Sequence, residues 1–244
     1  MKKAIVILLL LPFISIAQPG NKMNILKMNL SSLVLKNYHF IYERGLTKHI
    51  SVSIAYRIMP KSEVPLKNEL ENIIDDPDVN VSSFKMGNSA FTPELRFYLG
   101  KGTLSGFYLA PYARFATFDV TVPVKYNSSS FPGTKYEALF SGKVKSTSGG
   151  LLMGVQHSIF KKLVLDLWII GGHYGSCDGT LNATNINPPM TPAERADLDD
   201  QLNTIDAGPF NIKGHTTSNT SAIITADGPW AGIRSAGLTV GFRF

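Results

Sequence analysis

Strict alternation of apolar and polar residues, repeated along most of the chain, is the feature that most restricts what this sequence can become. In an extended strand successive side chains point to opposite sides. Over residues 50–58 this puts Ile50, Val52, Ile54, Tyr56 and Ile58 on one face and Ser51, Ser53, Ala55 and Arg57 on the other. Phe91, Leu95, Phe97 and Leu99 similarly oppose Thr92, Glu94, Arg96 and Tyr98. Phe107, Leu109, Ala113 and Phe115 oppose Tyr108, Ala110, Tyr112 and Arg114, with Pro111 removing one ladder donor and suggesting a bulge. At the end of the sequence Ala236, Leu238, Val240, Phe242 and Phe244 oppose Ser235, Gly237, Thr239, Gly241 and Arg243. Weaker alternation over 25–31, 38–44, 149–156 and 163–171 brings the expected total to about eight strands.

The N-terminus bears on where such strands are used. Lys2 and Lys3, the apolar run 4–13 and the small-residue pattern Ser15, Ile16, Ala17 read as an export leader, residues 1–17, with a mature domain expected over 18–244. The apolar run is shorter than the roughly 20 residues that a helix needs to span a bilayer. No later segment is long and apolar enough to be a spanning helix, so any membrane crossing must be made by strands.

Connection lengths alternate. The turns 45–48, 100–105 and 157–162 are short, whereas 60–89, 119–148 and 176–232 are long; only 32–37 breaks the pattern. Outer-membrane barrels have short periplasmic turns and longer extracellular loops. In that orientation Tyr42, Phe97, Phe107, Phe242 and Phe244 fall at periplasmic strand ends, and Tyr38, Tyr56, Phe91 and Phe115 at extracellular ends. Two aromatic girdles are what a barrel in lipid requires. A soluble sandwich or ligand-binding barrel has the same parity with its oily face turned inward. The leader, the loop alternation and the aromatic levels together favour the membrane. The expectation is an all-β, antiparallel, up-and-down transmembrane barrel in the cell outer membrane, monomeric, with outer-membrane lipid as its surroundings.

The opposite face then lines a narrow lumen filled by side chains. Its charges are Lys27, Glu43, Arg57, Glu94, Arg96, Arg114, Asp166 and Arg243. Buried charges need partners, so these are expected to form a salt-bridged plug; the alternative is a narrow polar conduit. In the last long connection Thr191, Pro192 and Glu194 form an N-cap, first-turn proline and capping-box acid, with Leu198, Leu202 and Ile205 on one face of the helix that follows. Leu66, Leu70, Ile73 and Ile74 make a weaker stripe in the first. Both are expected to pack over the barrel mouth, the alternative being a surface that grips an unidentified partner.

Few residues suggest chemistry. His157 with Ser158, and His173 with Ser176, are the pairs a lipid-modifying enzyme could use, but no third orienting group or oxyanion donor accompanies them. Cys177 is the single cysteine and reads as a free thiol; His173 alone does not complete a metal set. Without Lys2 and Lys3 there remain 22 basic against 18 acidic residues, a net charge of +4, scattered rather than gathered on one face, which argues against nucleic acid. No catalytic constellation, cofactor or metal is expected.

The leader ending at Ala17 and Gln18, the stretches TPELRFYLG (92–100) and GFYLAPYAR (106–114), and the ending GLTVGFRF resemble the small outer-membrane β-barrel proteins of unknown function common in Bacteroidota. The resemblance implies a barrel and no particular activity. Phe244, with Phe242 and Val240 on its face, is similar to the C-terminal signal read by the outer-membrane assembly machinery, which implies that partner during insertion. The role implied is structural or surface-interacting.

Overall fold

The alternating segments form the strands of one antiparallel sheet. The computed structural model describes residues 23–63, 83–127, 132–160, 162–204 and 208–244. The leader and the stripe Leu66, Leu70, Ile73, Ile74 lie outside them, as does Ile205. The strands are β1 (Asn24–Asn29), β2 (Tyr38–Gly45), β3 (Ile50–Glu63), β4 (Lys85–Tyr98), β5 (Gly106–Asn127), β6 (Lys135–Ile159), β7 (Leu163–Ala183), β8 (Asn211–Ser218) and β9 (Ser221–Arg243), with a helix α1 (Pro192–Thr204) between β7 and β8. Neighbours follow sequence order to β7, then β9, and β1 pairs back onto β9 from Ile25↔Arg243 to Asn29↔Thr239, so the sheet closes in a ring. The strand beyond the expected eight is β8, which pairs only with the first part of β9. No helix among the described residues is long and apolar enough to cross a membrane.

Two of the long connections are mostly strand. β5 and β6 stay paired out to Asn127↔Lys135, and β7 and β9 to Ala183↔Ala222. Beyond Ala116 the simple alternation fades because both faces become half-covered, which hides the strand from a period-two reading although Val120, Val122 and Val124 are typical strand residues. The expected bulge at Pro111 is absent. Pro111 keeps its place opposite Leu151 in an unbroken β5–β6 register, and its missing donor falls on the β4 side, where pairing is interrupted near Pro93. The shifts occur at Met59/Ser62, Met153/Gly154 and Thr216/Ser218 instead.

The shift at Met153/Gly154 matters most. It leaves Ile169 as an extra residue on β7, so Ile169 and Ile170 both face out, and opposite them on β9 Ser235 and Ala236 both face out, Ala236 with a left-handed φ of 49°. An extra residue reverses the parity of everything beyond it. Ser235 therefore leaves the interior, and Arg234 enters it.

Two buried clusters stack along the ring. One sits toward the short turns and contains Ile25, Ile41, Leu104, Leu152 and Val164 with Tyr98, Tyr108 and Trp168. Leu104, in the turn between β4 and β5, folds back as a cork: it is fully buried and its N–H donates to the Lys48 carbonyl at 2.9 Å. Large rings here need glycine beneath them. A Cβ on Gly154 would sit 2.5 Å from Tyr108 Cζ, and one on Gly237 2.5 Å from Trp168 Cε3.

The second cluster builds a head on the strand extensions: Tyr126, Phe140, Leu181 and Ile224 pack with Leu198 and Leu202 of α1. The capping box forms as its residues dictate, with Thr191 N–H donating to Glu194 at 2.8 Å and Glu194 N–H to Thr191 Oγ1 at 3.3 Å. Asp197 accepts from the Asn127 N–H at 2.7 Å, and Asp199 from the Thr216 N–H at 2.5 Å, tying α1 to β5 and β8. The apolar side of α1 is thus spent within its own chain. Truncating Leu202 to Ala should cost about 2–5 kcal/mol of head stability by opening a cavity, read as a lower urea midpoint for protection of α1 from protease; an unchanged midpoint would show that the helix is not held by this packing.

Candidate functional site

The interior face brings most of the expected charges together. Lys27 on β1, Glu43 on β2, Glu94 and Arg96 on β4 and Asp166 on β7 form one network whose side chains are fully buried. Lys27 bonds Glu43 and the Gln156 carbonyl oxygen, and reaches Asp166 at 2.8 Å. Arg96 donates to Asp166 at 2.6 Å and, through Nε and Nη2, to Glu94 at 3.0 and 2.8 Å. Hydroxyls complete the carboxylates: Ser51 and Tyr98 donate to Glu43 at 2.6 and 2.7 Å, and Tyr108 to Asp166 at 2.7 Å. Such charge-assisted bonds are the strong ones in a low-dielectric interior.

Arg234, brought inward by the parity reversal, adds the third cation. It donates to Glu94 at 2.9 Å and lies between two rings, 4.4 Å from the Trp168 centroid and 4.6 Å from that of Tyr112. Lys27, Arg96 and Arg234 thus balance Glu43, Glu94 and Asp166. A period-two reading carried back from Phe244 misses Arg234, although one signal was available. The apolar doublet Ile169–Ile170 cannot satisfy strict alternation and so marks a change of phase.

The other expected charges behave differently. Arg57 and Arg114 turn inward, yet neither bonds a carboxylate, and among the described residues neither has a salt bridge. Arg243 is half-buried at the short-turn end, where it donates to the Leu104 carbonyl at 3.3 Å. All nine expected girdle aromatics, Tyr38, Tyr42, Tyr56, Phe91, Phe97, Phe107, Phe115, Phe242 and Phe244, are exposed on the outer face. Register sets Phe40, Tyr56, Phe91 and Phe115 side by side across β2 to β5.

Strand geometry separates the histidine–serine pairs. His157 and Ser158 lie in β6, not in a turn, and as consecutive strand residues point apart. Ser176 is on the outer face, whereas His173 faces inward and bonds the Tyr112 hydroxyl at 3.1 Å through Nδ1. Cys177 is buried on the inner face. An open hollow of about 470 Å³ at the β4–β5 proline gap is lined by Val52, Pro93, Glu94, Leu95, Pro111, Tyr112 and Ala113.

Comparison with known families matches the model described as Protein of unknown function (DUF3575) over residues 4–185. The chain belongs to this family. The DUF3575 match takes in β1 to β7 and so Lys27, Glu43, Arg57, Glu94, Arg96, Arg114 and Asp166; α1, β8, β9 and Arg234 lie beyond it. Searches of curated proteins and of solved structures return no match.

What this arrangement does chemically is hold a neutral, cross-linked plug. Removing one partner of a buried charge network strands the others, so Asp166→Asn, which leaves Lys27 and Arg96 short of a counter-charge, is expected to cost about 3–5 kcal/mol. The readout is the unfolding midpoint in urea. A midpoint shift no larger than that of a surface substitution such as Asp178→Asn would contradict the network's role.

Proposed function

We propose that this chain is an outer-membrane β-barrel protein of a Gram-negative bacterium, delivered by its leader, monomeric, and presenting its packed head as a structural or surface-interaction element. One observation carries the reading: the closed sheet has its polarity inside out. Its outer face shows Leu26, Phe40, Val52, Ile54, Phe91, Leu95, Leu151, Leu167 and Leu238 to the surroundings, while Lys27, Glu43, Glu94, Arg96 and Asp166 are fully buried or nearly so. On β5 the outward series Phe107, Leu109, Pro111, Ala113, Phe115 contains no charge, and its length fits the roughly 9–11 residues with which a tilted strand crosses a bilayer. Charge returns just beyond it, at Asp119, paired with Lys61 at 2.7 Å, and at Lys143 and Lys145 on β6.

Supporting this, β1 pairs back onto β9 over Ile25↔Arg243 to Asn29↔Thr239, so the ring closes there without a free edge. A continuous oily exterior of this extent has no counterpart on ordinary soluble surfaces. The plugged lumen argues for a closed protein. In planar bilayers the wild-type chain is expected to show no stepwise conductance under voltage, and steady channel openings would remove the plug from the account.

Placement is tested by membrane fractionation with heat-modifiable gel mobility. The chain should enter the outer-membrane fraction and run differently before and after boiling; recovery wholly in the soluble periplasm rejects the proposal. A sharper version uses Leu151, which is exposed and sits opposite Pro111 at the middle of the apolar series. Leu151→Lys should lower stability in a bilayer by about 2–4 kcal/mol. On a soluble exterior the same change is worth less than about 0.5 kcal/mol.

A further inference from the structure

Beyond the balanced plug, the interior carries positive charge that no carboxylate among the described residues pairs with. The three carboxylates are matched by Lys27, Arg96 and Arg234, which leaves Arg57 and Arg114 as two surplus guanidinium groups. Arg114 and Arg234 are more than nine-tenths buried. Arg57, Arg114 and Arg234 repel one another, and the imidazoles of His39 and His173 lie in the same positive field, to which Arg96 contributes at His39.

Unused donors gather at the same place. Arg57 Nε, Arg234 Nη2 and the hydroxyls of Ser146 and Ser148 are all buried without a hydrogen-bond partner. Register places most of them on one arc of the inner face. Arg57 pairs with Ala90, Ala90 with Ala116 and Ala116 with Ser146, while Arg114 pairs with Ser148. The residues between them, Ala90 and Ala116, carry only methyl groups. Buried polar groups are almost always satisfied, so guanidinium groups and hydroxyls left without partners on one arc have the composition of a site for an anion.

We propose that this arc binds a small dianionic oxyanion of the phosphate or sulfate type. Two surplus cations call for two negative charges. Guanidinium forks match the oxygen geometry of such ions, and serine hydroxyls donate to the remaining oxygens. The arc lies on the inner face of β3 to β6, with Arg114, Ser146 and Ser148 buried there, which favours a free ion or a small soluble phosphate over the headgroup of a membrane-anchored lipid.

Isothermal titration calorimetry on the purified full chain tests this, with sodium phosphate or sodium sulfate as titrant and sodium chloride of equal ionic strength as control. One oxyanion should bind per chain, with affinity at least tenfold weaker in Arg57→Gln and in Arg114→Gln. It should be unchanged in Lys145→Gln, whose side chain is on the outer face. Circular dichroism checks that each variant is folded; if Arg114→Gln is not, Ser148→Ala carries the test, with a severalfold loss expected. A second arm titrates dihexanoyl phosphatidic acid. Three results overturn the proposal: no binding of phosphate or sulfate by the wild type, binding that both arginine variants leave unchanged, or binding of the lipid alone. The titration reads the interior of the closed sheet wherever the protein fractionates, so its failure is distinct from failure of the outer-membrane placement.

Discussion

Asp166 is the point at which the ring is tied together. Its carboxylate receives Lys27 from β1, Arg96 from β4 and the Tyr108 hydroxyl from β5, while its own strand, β7, pairs with β9 on one side and β6 on the other. Backbone ladders fix neighbouring strands, but only side chains crossing the interior can connect strands that are not neighbours. Stripping several charges of water is expensive, and their mutual attraction offsets that only if every lone pair and proton finds a partner in good geometry. The hydroxyls of Tyr98, Tyr108 and Ser51 and the amide of Gln156 supply those partners. The plug therefore specifies one arrangement of the ring more than it stabilises it.

A polar interior leaves the apolar residues only the outside. The buried apolar residues gather in a floor around Leu104 and in the head under α1, and the other large hydrophobic residues of the strands mostly face outward. In water such a distribution would forfeit the burial that drives folding. In lipid it is the favourable one, because apolar side chains then face hydrocarbon while paired strands satisfy their backbone groups internally. On the proposed outer-membrane placement, interior charge and exterior oil are two consequences of a single choice of solvent.

How much of this could be read from the sequence depended on whether one face of a strand stayed uniform. Where it did, over 50–58 and 91–99, alternation gave strand, face and inward charges together, so that Arg96 and Glu94 were recognisable as interior partners. Where an extra residue entered at Ile169 and Ala236 the phase reversed, and Arg234 could not be placed from Phe244 backward. Where both faces were half-covered, past Ala116, strand and loop look alike in pattern, and the extensions read as loops. The helix α1 was legible because capping is local chemistry, whereas its docking on β5 and β8 rests on Asp197 and Asp199 meeting backbone groups that are distant in sequence. Pairwise matching of the charges was not legible at all. Parity gives the side of the sheet, not the height at which a side chain meets another.

Height is what divides the interior into two functional levels. Toward the short turns, Lys27, Arg96 and Arg234 are matched by Glu43, Glu94 and Asp166, and Leu104 is fully buried beside them. Further along, Arg57 and Arg114 pair with no carboxylate among the described residues, and the hydroxyls of Ser146 and Ser148 are buried without a hydrogen-bond partner. Beyond that, α1 is docked through Leu198 and Leu202 onto the strand extensions, which removes its apolar face from any partner. If the plug alone were the purpose of the interior, the two surplus arginines would be a cost without return, since apolar residues of similar size would close the space more cheaply. Their position at the level where the paired acids run out is what the proposed anion site rests on.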